Sequence, residues 1–218
     1  GVGEQPATEL VKNGSFEKDF AADKQPGIYA AWQTQGNNTL NFLDMWFAKP
    51  DVTNPSLSID TSTGANGSNF LNIPAEKVDN TWGVDLSYPL QGVNPGKYEL
   101  SFYAKTNQTE SPFITSITLC ENNEDIAKEA KFQKAIVLQN GVQTIESGVN
   151  DIWGTVINQA GKEWKKYAVT VDIPTNVLVK FVFKLCAGAN NQLTGYNATA
   201  TDNVIYWFDD VSLKLVTE

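Results

Sequence analysis

The sequence contains no histidine among its 218 residues, and this absence excludes several kinds of catalysis at once. Ser-His-Asp hydrolysis, Cys-His nucleophiles and histidine-ligated zinc all need an imidazole, which is also the commonest general base. The sequence also lacks a Gly-x-x-x-x-Gly-Lys-Ser/Thr loop and a Gly-x-Gly-x-x-Gly turn that opens a helix. Nucleotide and redox cofactors are therefore not expected.

Cysteine is scarce, and this limits metal chemistry further. The only two cysteines, Cys120 and Cys186, each end a strand-like run. Two isolated cysteines cannot hold a zinc ion or an iron-sulfur cluster. Two alternatives remain open, namely one disulfide in an exported protein or a pair of reduced thiols.

Net positive charge and long apolar runs are also absent from the sequence. The formal net charge is -9 at pH 7 and the isoelectric point is about 4.6. Such a charge repels nucleic acid and anionic membrane surfaces, so a neutral or cationic ligand is favoured. No run of about 18 apolar residues is present, and we expect no membrane-spanning segment.

The residues that are present predict an all-β chain. In the segment Tyr98 to Lys105, alternate residues are apolar, which is the period of a half-buried strand, and Asn94-Pro95-Gly96-Lys97 forms a turn before it. No strand and helix alternation and no fixed repeat are found, so a two-sheet antiparallel sandwich is expected. Further strands are predicted at Trp82 to Leu90, Ile114 to Cys120, Tyr167 to Ile173, Val177 to Cys186 and Val204 to Leu215.

Two segments interrupt this pattern. Asn123 to Lys134 is the one plausible helical stretch, and it predicts a decorated loop or a single short helix. The long insert Asn140 to Gly161 is predicted to be of the same kind. Neither segment is sufficient for a second domain, so we expect a polar spacer over residues 1–9 and a single domain over residues 10–218.

Acidic side chains stand beside apolar ones at both ends of the chain. Glu17 ends the strand-like segment that starts at Leu10, and Asp209 lies within Tyr206 to Leu213. Carboxylates next to buried strand positions need a compensating cation or hydrogen bonds. Because the first and last strands of a sandwich commonly lie side by side, Glu17 and Asp209 are candidate ligands of a structural calcium ion. Solvated turns are the simpler alternative.

Aromatic and amide side chains are abundant, which suits sugar recognition because indoles stack on pyranose C–H faces and amides pair with hydroxyls. Four aromatics in polar surroundings are candidate ligand contacts, and Tyr103 is a fifth because its parity points it away from Leu100 and Phe102. The four are Trp46, Trp82, Trp153 and Tyr196. Others are expected in the core, namely Trp32, Phe16, Phe102, Phe181 and Phe183.

Four stretches occur in an order that spans nearly the whole chain. They are Asn13-Gly14-Ser15-Phe16-Glu17, the Trp82 to Leu90 strand with Pro95 to Lys105, Trp164 to Pro174, and Phe208-Asp209-Asp210-Val211-Ser212-Leu213. As an ordered set they resemble the galactose-binding-like β-jelly-roll modules, especially carbohydrate-binding modules of families four, nine and twenty-two.

The resemblance implies a jelly-roll sandwich that binds a saccharide without catalysis and holds a structural calcium ion through Glu17 and Asp209. This sequence shows no clear copy of the binding residues of that family. It also contains two segments that the compact module lacks, Thr34 to Ser68 and Ile126 to Gly161. The chain also resembles exported lipoproteins of glycan-degrading Bacteroidetes. That likeness implies a place at the cell surface or in the periplasm, a lipid anchor on a removed N-terminal segment, and other glycan-utilisation proteins as partners.

Two other functions stay open at the level of sequence. A small jelly-roll glycosidase or polysaccharide lyase would use two of the 25 acidic residues, but no acid and nucleophile pair is evident among them. An adhesion module would instead pack its aromatic residues against a protein partner. Of the three, the non-catalytic saccharide-binding protein is the leading hypothesis.

Overall fold

The structure is a computed structural model, and it describes most of the predicted strands. The described residues are 8–18, 27–28, 44, 46–50, 58–67, 69–75, 84–120, 134–147, 155–174, 177–185 and 203–216.

These residues form strands and turns, with no helix among them. The strands are β1 (Gly27–Ile28), β2 (Phe47–Pro50), β3 (Ser58–Asp60), β4 (Phe70–Pro74), β5 (Val84–Val93), β6 (Gly96–Thr106), β7 (Ser111–Cys120), β8 (Lys134–Gln139), β9 (Val142–Ser147), β10 (Val156–Ala160), β11 (Lys165–Ile173), β12 (Val177–Leu185) and β13 (Ile205–Leu215). Within the described part of the chain, no helix has the length and apolar content needed to cross a membrane.

The strands form two sheets. The eight-stranded sheet has the order β1-β2-β5-β12-β7-β8-β9, with β10 also paired to β7, and the five-stranded sheet has the order β11-β6-β13-β4-β3. All pairs are antiparallel except β1 with β2. The predicted two-sheet antiparallel jelly-roll sandwich is confirmed, and each strand predicted from alternation is present with ends shifted by a few residues.

One prediction about an insertion is wrong. Asn140 to Gly161 contains strands β9 and β10 rather than a decorated loop or a single short helix. Asn140 and Gly141 both have positive φ, 51° and 78°, and form the tight turn between β8 and β9. Asn-Gly is the preferred sequence for such a hairpin turn because both central residues need the left-handed region. The predicted helix at Asn123 to Lys134 lies outside the described residues, apart from Lys134, which begins β8.

The N-terminal segment is not the strand that its composition suggested. Residues 12–15 form a turn, in which the Phe16 amide donates to the Asn13 carbonyl over 3.1 Å. The segment nevertheless meets the last strand as expected. The Leu10 amide donates to the Leu213 carbonyl, and the Val211 amide donates to the Gly14 carbonyl over 2.8 Å. Both ends of the described chain therefore pack against each other at β13.

The core lies between the two sheets and is rich in phenylalanine. On β6, Tyr98, Leu100, Phe102 and Ala104 are buried, as their alternation predicts. Phe102 contacts Phe183 of the opposite sheet, with ring centroids 4.6 Å apart. The predicted core residues Phe16, Phe102, Phe181 and Phe183 are confirmed, whereas Trp32 lies outside the described residues.

Candidate functional site

The outer face of the five-stranded sheet carries the candidate site. On β6, Ser101, Tyr103 and Lys105 alternate with buried residues, point outward and are half-buried. On β13, Tyr206 and Phe208 are buried in the core, and Trp207 between them is half-buried on the outer side. Strand alternation thus places large side chains on the surface of this sheet, on neighbouring strands.

These outward residues align across the sheet. Trp207 pairs with Lys105 on one side and with Asn72 of β4 on the other. Lys165, the first residue of β11, pairs with Ala104, so Trp164 immediately before it lies beside Lys105. We call Trp164, Lys105, Trp207 and Asn72 the tryptophan row. The row runs across four neighbouring strands, perpendicular to their direction, and these strands are about 4.8 Å apart.

Contacts between the side chains hold the row together. The Lys105 ammonium is 4.8 Å from the Trp164 ring centroid and 5.3 Å from that of Trp207, which is cation-π distance. Phe70 of β4 lies 5.4 Å from Trp164, edge to face, and is 5.8 Å from the same ammonium. Trp207 Nε1 donates to Asn72 Oδ1 over 2.8 Å. The two indoles are therefore fixed in position while both remain partly exposed.

Tyr103 belongs to the next row of the same face. It pairs with Lys166 of β11 on one side and with Asp209 of β13 on the other. The side chain is half-buried and points outward, as its parity predicted. The structure therefore brings one expected ligand residue next to the tryptophan row.

Asp209 is covered rather than exposed, although it lies on this face. Its exposed fraction is 1%. Oδ2 accepts from the Ala65 amide over 2.9 Å, and Oδ1 accepts from the Asp210 amide over 2.8 Å. Gly64 lies directly above the carboxylate, since a Cβ there would be 2.5 Å from Oδ2. The loop that contains Gly64 and Ala65 therefore closes over Asp209.

The environment of Asp209 disfavours its charge. The pKa of Asp209 is raised to about 6, chiefly by burial and also by the nearby charges of Asp210 and Glu17, against the lowering effect of the two amide hydrogen bonds. Glu17 itself is exposed. Within the described ranges, no group of three or more His, Cys, Asp or Glu side chains is placed to hold a metal ion.

The prediction that Trp46 contacts a ligand is wrong, because Trp46 lies in the core. Its exposed fraction is 0%, and its ring packs between Phe16 at 5.3 Å and Tyr88 at 4.9 Å. Its Nε1 donates to the Lys12 carbonyl over 3.2 Å. Its polar neighbours in sequence suggested a surface position, but the indole anchors the N-terminal segment to the core and has no surface to offer a ligand.

Three other expected ligand residues, Trp82, Trp153 and Tyr196, lie outside the described residues, as does Cys186. Trp207 and Trp164 were not among the ligand residues expected from the sequence. The parity of Trp207 between two core aromatics could have identified it, because alternation sends it to the opposite face. Trp164 was expected only to anchor a strand, and β11 does begin directly after it.

The outer face of the eight-stranded sheet is different. Asp85 and Ser87 on β5 and Ser116 on β7 are buried although they point away from the core. Asp85 forms an ion pair with Lys184 at 3.3 Å. Asp85 Oδ1 and Ser116 Oγ have no hydrogen-bond partner in the described part of the chain. The side chains described on this face include no exposed aromatic ring, whereas the five-stranded sheet presents Trp164 and Trp207 together, so we place the candidate site there.

Comparison with known proteins identifies the fold. No protein-family profile matches the sequence, and no curated protein matches it. Among solved structures, a candidate sugar-binding protein of Bacteroides thetaiotaomicron has a TM-score of 0.59 at 13% identity, covering 96% of this chain and all of that one. The family 22 xylan-binding domain CBM22-1 of Paenibacillus barcinonensis Xyn10C has a TM-score of 0.51 at 14% identity, covering 99% of each chain.

A family 4 carbohydrate-binding module matches in the same way. Its TM-score is 0.50 at 16% identity, and the match covers 94% of this chain and 99% of that one. Identities this low show that the chain shares the β-jelly-roll sandwich of these proteins, which confirms the fold expected from the resemblance. They do not carry over a ligand, which depends on the side chains at the site.

Proposed function

We propose that this protein binds carbohydrate on the tryptophan row without catalysing a reaction. The observation that carries the proposal is the pair of partly exposed indoles, Trp164 and Trp207, fixed on one sheet face beside the amide of Asn72. A pyranose ring stacks its C–H face on an indole, and amide groups supply donors and acceptors for its hydroxyls. The fold is shared with proteins described as sugar-binding, which supports the proposal.

Binding is tested by affinity electrophoresis and calorimetry against a panel of plant, algal and host polysaccharides. We expect at least one glycan to retard the protein, and Trp207→Ala to weaken that binding about tenfold, since a stacked ring contributes about 1 kcal/mol beyond its buried area. Ile157→Ala is the matched control because Ile157 is exposed on the other sheet. Absence of binding across the panel, or equal affinity of wild type and Trp207→Ala, would remove the proposal.

The absence of catalysis is proposed from the carboxylates near the site. Glycosidases use two carboxyl groups whose environments shift their pKa values apart. The pKa of Asp60 is lowered, chiefly by hydrogen bonds from Ser62, and the pKa of Asp209 is raised, so these two residues superficially fit that pattern. Asp209 is nevertheless sealed beneath the Gly64 loop with both oxygens hydrogen-bonded. Release of reducing sugar or of unsaturated products from the bound glycan would contradict this part of the proposal.

We further propose calcium as a structural ion at Asp209. Calcium prefers carboxylate and carbonyl oxygens, and Asp209 supplies a buried carboxylate that lies near Glu17 and Asp210. A bound cation would reverse the unfavourable effect of burial on the Asp209 charge. Asp209 and Glu17 would be ligands, and backbone carbonyls of the surrounding loops would complete the shell. The ion would fix the Gly64 loop and the N-terminal turn on β13.

A further inference from the structure

The ammonium group of Lys105 is held in an unusual way. Three rings surround it at 4.8 to 5.8 Å, and the side chain is half-buried. Within the part of the chain that the structure describes, no acceptor lies within hydrogen-bond distance of its Nζ and no carboxylate pairs with it. Aromatic faces attract a cation but accept none of its N–H groups as strongly as an oxygen does. The described part of the chain therefore leaves the N–H donors of Lys105 available to an oxygen of a ligand.

A second lysine lies on the same face near this end of the tryptophan row. Lys166 pairs with Tyr103, so it points outward from β11, and it is exposed without an ion pair to a described carboxylate. Asp60 is near enough to Lys105 for the lysine to lower its pKa, yet Asp60 Oδ1 already accepts from the Ser62 amide over 2.7 Å. The face around the indoles thus presents two lysine ammonium groups, Lys105 and Lys166, in a protein whose net charge is -9.

Building on the function proposed above, we propose that the ligand of the tryptophan row is an anionic glycan. Its carboxylate or sulfate group binds Lys105 Nζ, and its sugar ring stacks on Trp207 or Trp164. Lys105 lies one strand away from each indole, about 4.8 Å, which is within the width of one substituted pyranose ring. A single sugar can therefore stack on an indole and present its acidic group to the ammonium.

The overall negative charge of the protein does not oppose this assignment strongly. At physiological ionic strength, exposed charges beyond about 8 Å are largely screened, so the groups in contact with the ligand decide its charge preference. Contact between Lys105 and an anion is partly shielded from water by the three rings, and a hydrogen bond to a charged group contributes about 1.5 to 3 kcal/mol. The local site therefore selects an anion, whereas the net charge slows the approach of the ligand.

The test compares glycans that differ only in charge. Wild-type protein is titrated by calorimetry with sodium polygalacturonate, with its fully methyl-esterified form, with a sulfated galactan and with the desulfated galactan. We expect at least one acidic glycan to bind about tenfold more tightly than its neutral counterpart, and the acidic pair that shows this identifies the anion as carboxylate or sulfate.

The variant Lys105→Met keeps the apolar stem among the rings and removes the charge. We expect it to lose about tenfold in affinity for the acidic glycan and to keep its melting temperature and its affinity for the neutral one. Lys214→Met is the matched control, since Lys214 is exposed on β13 away from the row. Equal affinity of wild type and Lys105→Met for the acidic glycan, or tighter binding of the neutral forms, overturns the anionic preference but leaves the proposed function standing. No binding to any glycan overturns both.

Discussion

Trp207 and Asn72 are joined by a hydrogen bond of 2.8 Å from the indole Nε1 to the amide Oδ1, across the boundary between β13 and β4. The bond fixes the orientation of the indole on the outer face of the sheet. A rigid ring loses little conformational freedom when a ligand stacks on it, which favours binding.

The first prediction concerns this bond. Asn72→Leu keeps the side-chain volume but leaves the indole N–H without its partner, so Trp207 should sample other orientations. We expect glycan affinity to fall about three- to tenfold and the free energy of unfolding to fall by about 1 kcal/mol. Gln143→Leu is the control, because Gln143 makes two hydrogen bonds to the backbone of Asp172 at another edge of the molecule. An equal loss of affinity in both variants would contradict a specific role for Asn72.

The second prediction concerns pH. The pKa of Asp209 is about 6 in the folded protein and 3.8 in the reference state, so between these values the folded state binds more protons than the unfolded state. The Asp209 contribution to stability therefore decreases as pH rises through this window. In metal-free buffer we expect Asp209→Asn to gain about 3 kcal/mol relative to wild type between about pH 4 and pH 7, measured by denaturant unfolding. The gain is offset at every pH by one lost amide hydrogen bond.

Asp60→Asn is the control of opposite sign. Hydrogen bonds from Ser62 lower the pKa of Asp60, so its contribution to stability is present above its unfolded pKa and is lost as pH falls. Asp60→Asn should therefore lose stability relative to wild type as pH rises. Parallel pH curves for wild type and Asp209→Asn would show that the charge of Asp209 is not disfavoured by folding.

The third prediction concerns the proposed calcium ion. A ligand that binds only the folded state raises its stability in proportion to the logarithm of the ligand concentration. We expect EDTA to lower the melting temperature of the wild type and excess calcium to restore it, with neither reagent affecting Asp209→Ala. Identical melting of the wild type in EDTA and in calcium would exclude a structural calcium site.

The fourth prediction concerns Thr155, which is buried where β7, β8 and β10 meet. Its hydroxyl donates to the Ile136 carbonyl over 2.7 Å and accepts from the Ile117 amide over 2.9 Å. Thr155→Val has nearly the same shape but leaves both groups without partners, which should cost about 1 to 3 kcal/mol in denaturant unfolding. Thr155→Ser keeps the hydroxyl and should cost clearly less. Equal stability of the two variants would contradict this role of the hydroxyl.

The fifth prediction concerns the ion pair between Asp85, which is buried, and Lys184, which is largely buried. Lys184→Met leaves the Asp85 carboxylate without this cation, and we expect a loss of about 3 to 5 kcal/mol. The double variant Asp85→Leu with Lys184→Met removes both charges and should recover much of that loss. A double variant that is as unstable as the sum of the single variants would show that the two residues act independently.

The strands were predictable where one face of a strand is buried and the other is not. The alternation over Tyr98 to Lys105 gave both the strand and its buried face, since period-two patterns report burial directly. Strands β9 and β10 were missed because their exposed residues carry no such pattern. The Asn140-Gly141 dipeptide was the available signal for the first of them, since it indicates a hairpin turn.

The site was less predictable because exposure depends on which elements pack over a side chain. Trp46 lies among polar residues in sequence, yet Phe16 and Tyr88 enclose it. Trp207 lies between two core aromatics and is nevertheless partly exposed. The proximity of Glu17 and Asp209 was expected because the first and last strands of a sandwich commonly lie side by side. The loop that covers Asp209 was not expected, because nothing in the sequence links Gly64 to Asp209.

Strand β13 lies between β6 and β4, so the five-stranded sheet has a gap at its centre until residues 205–215 are in place. Those residues follow the other twelve described strands in the chain, so they are synthesised after them. A nascent or prematurely terminated chain therefore lacks Trp207 and the partner of the N-terminal turn at the same time. Ligand recognition should appear only when synthesis has passed this strand, and shortened fragments should compete poorly for glycan.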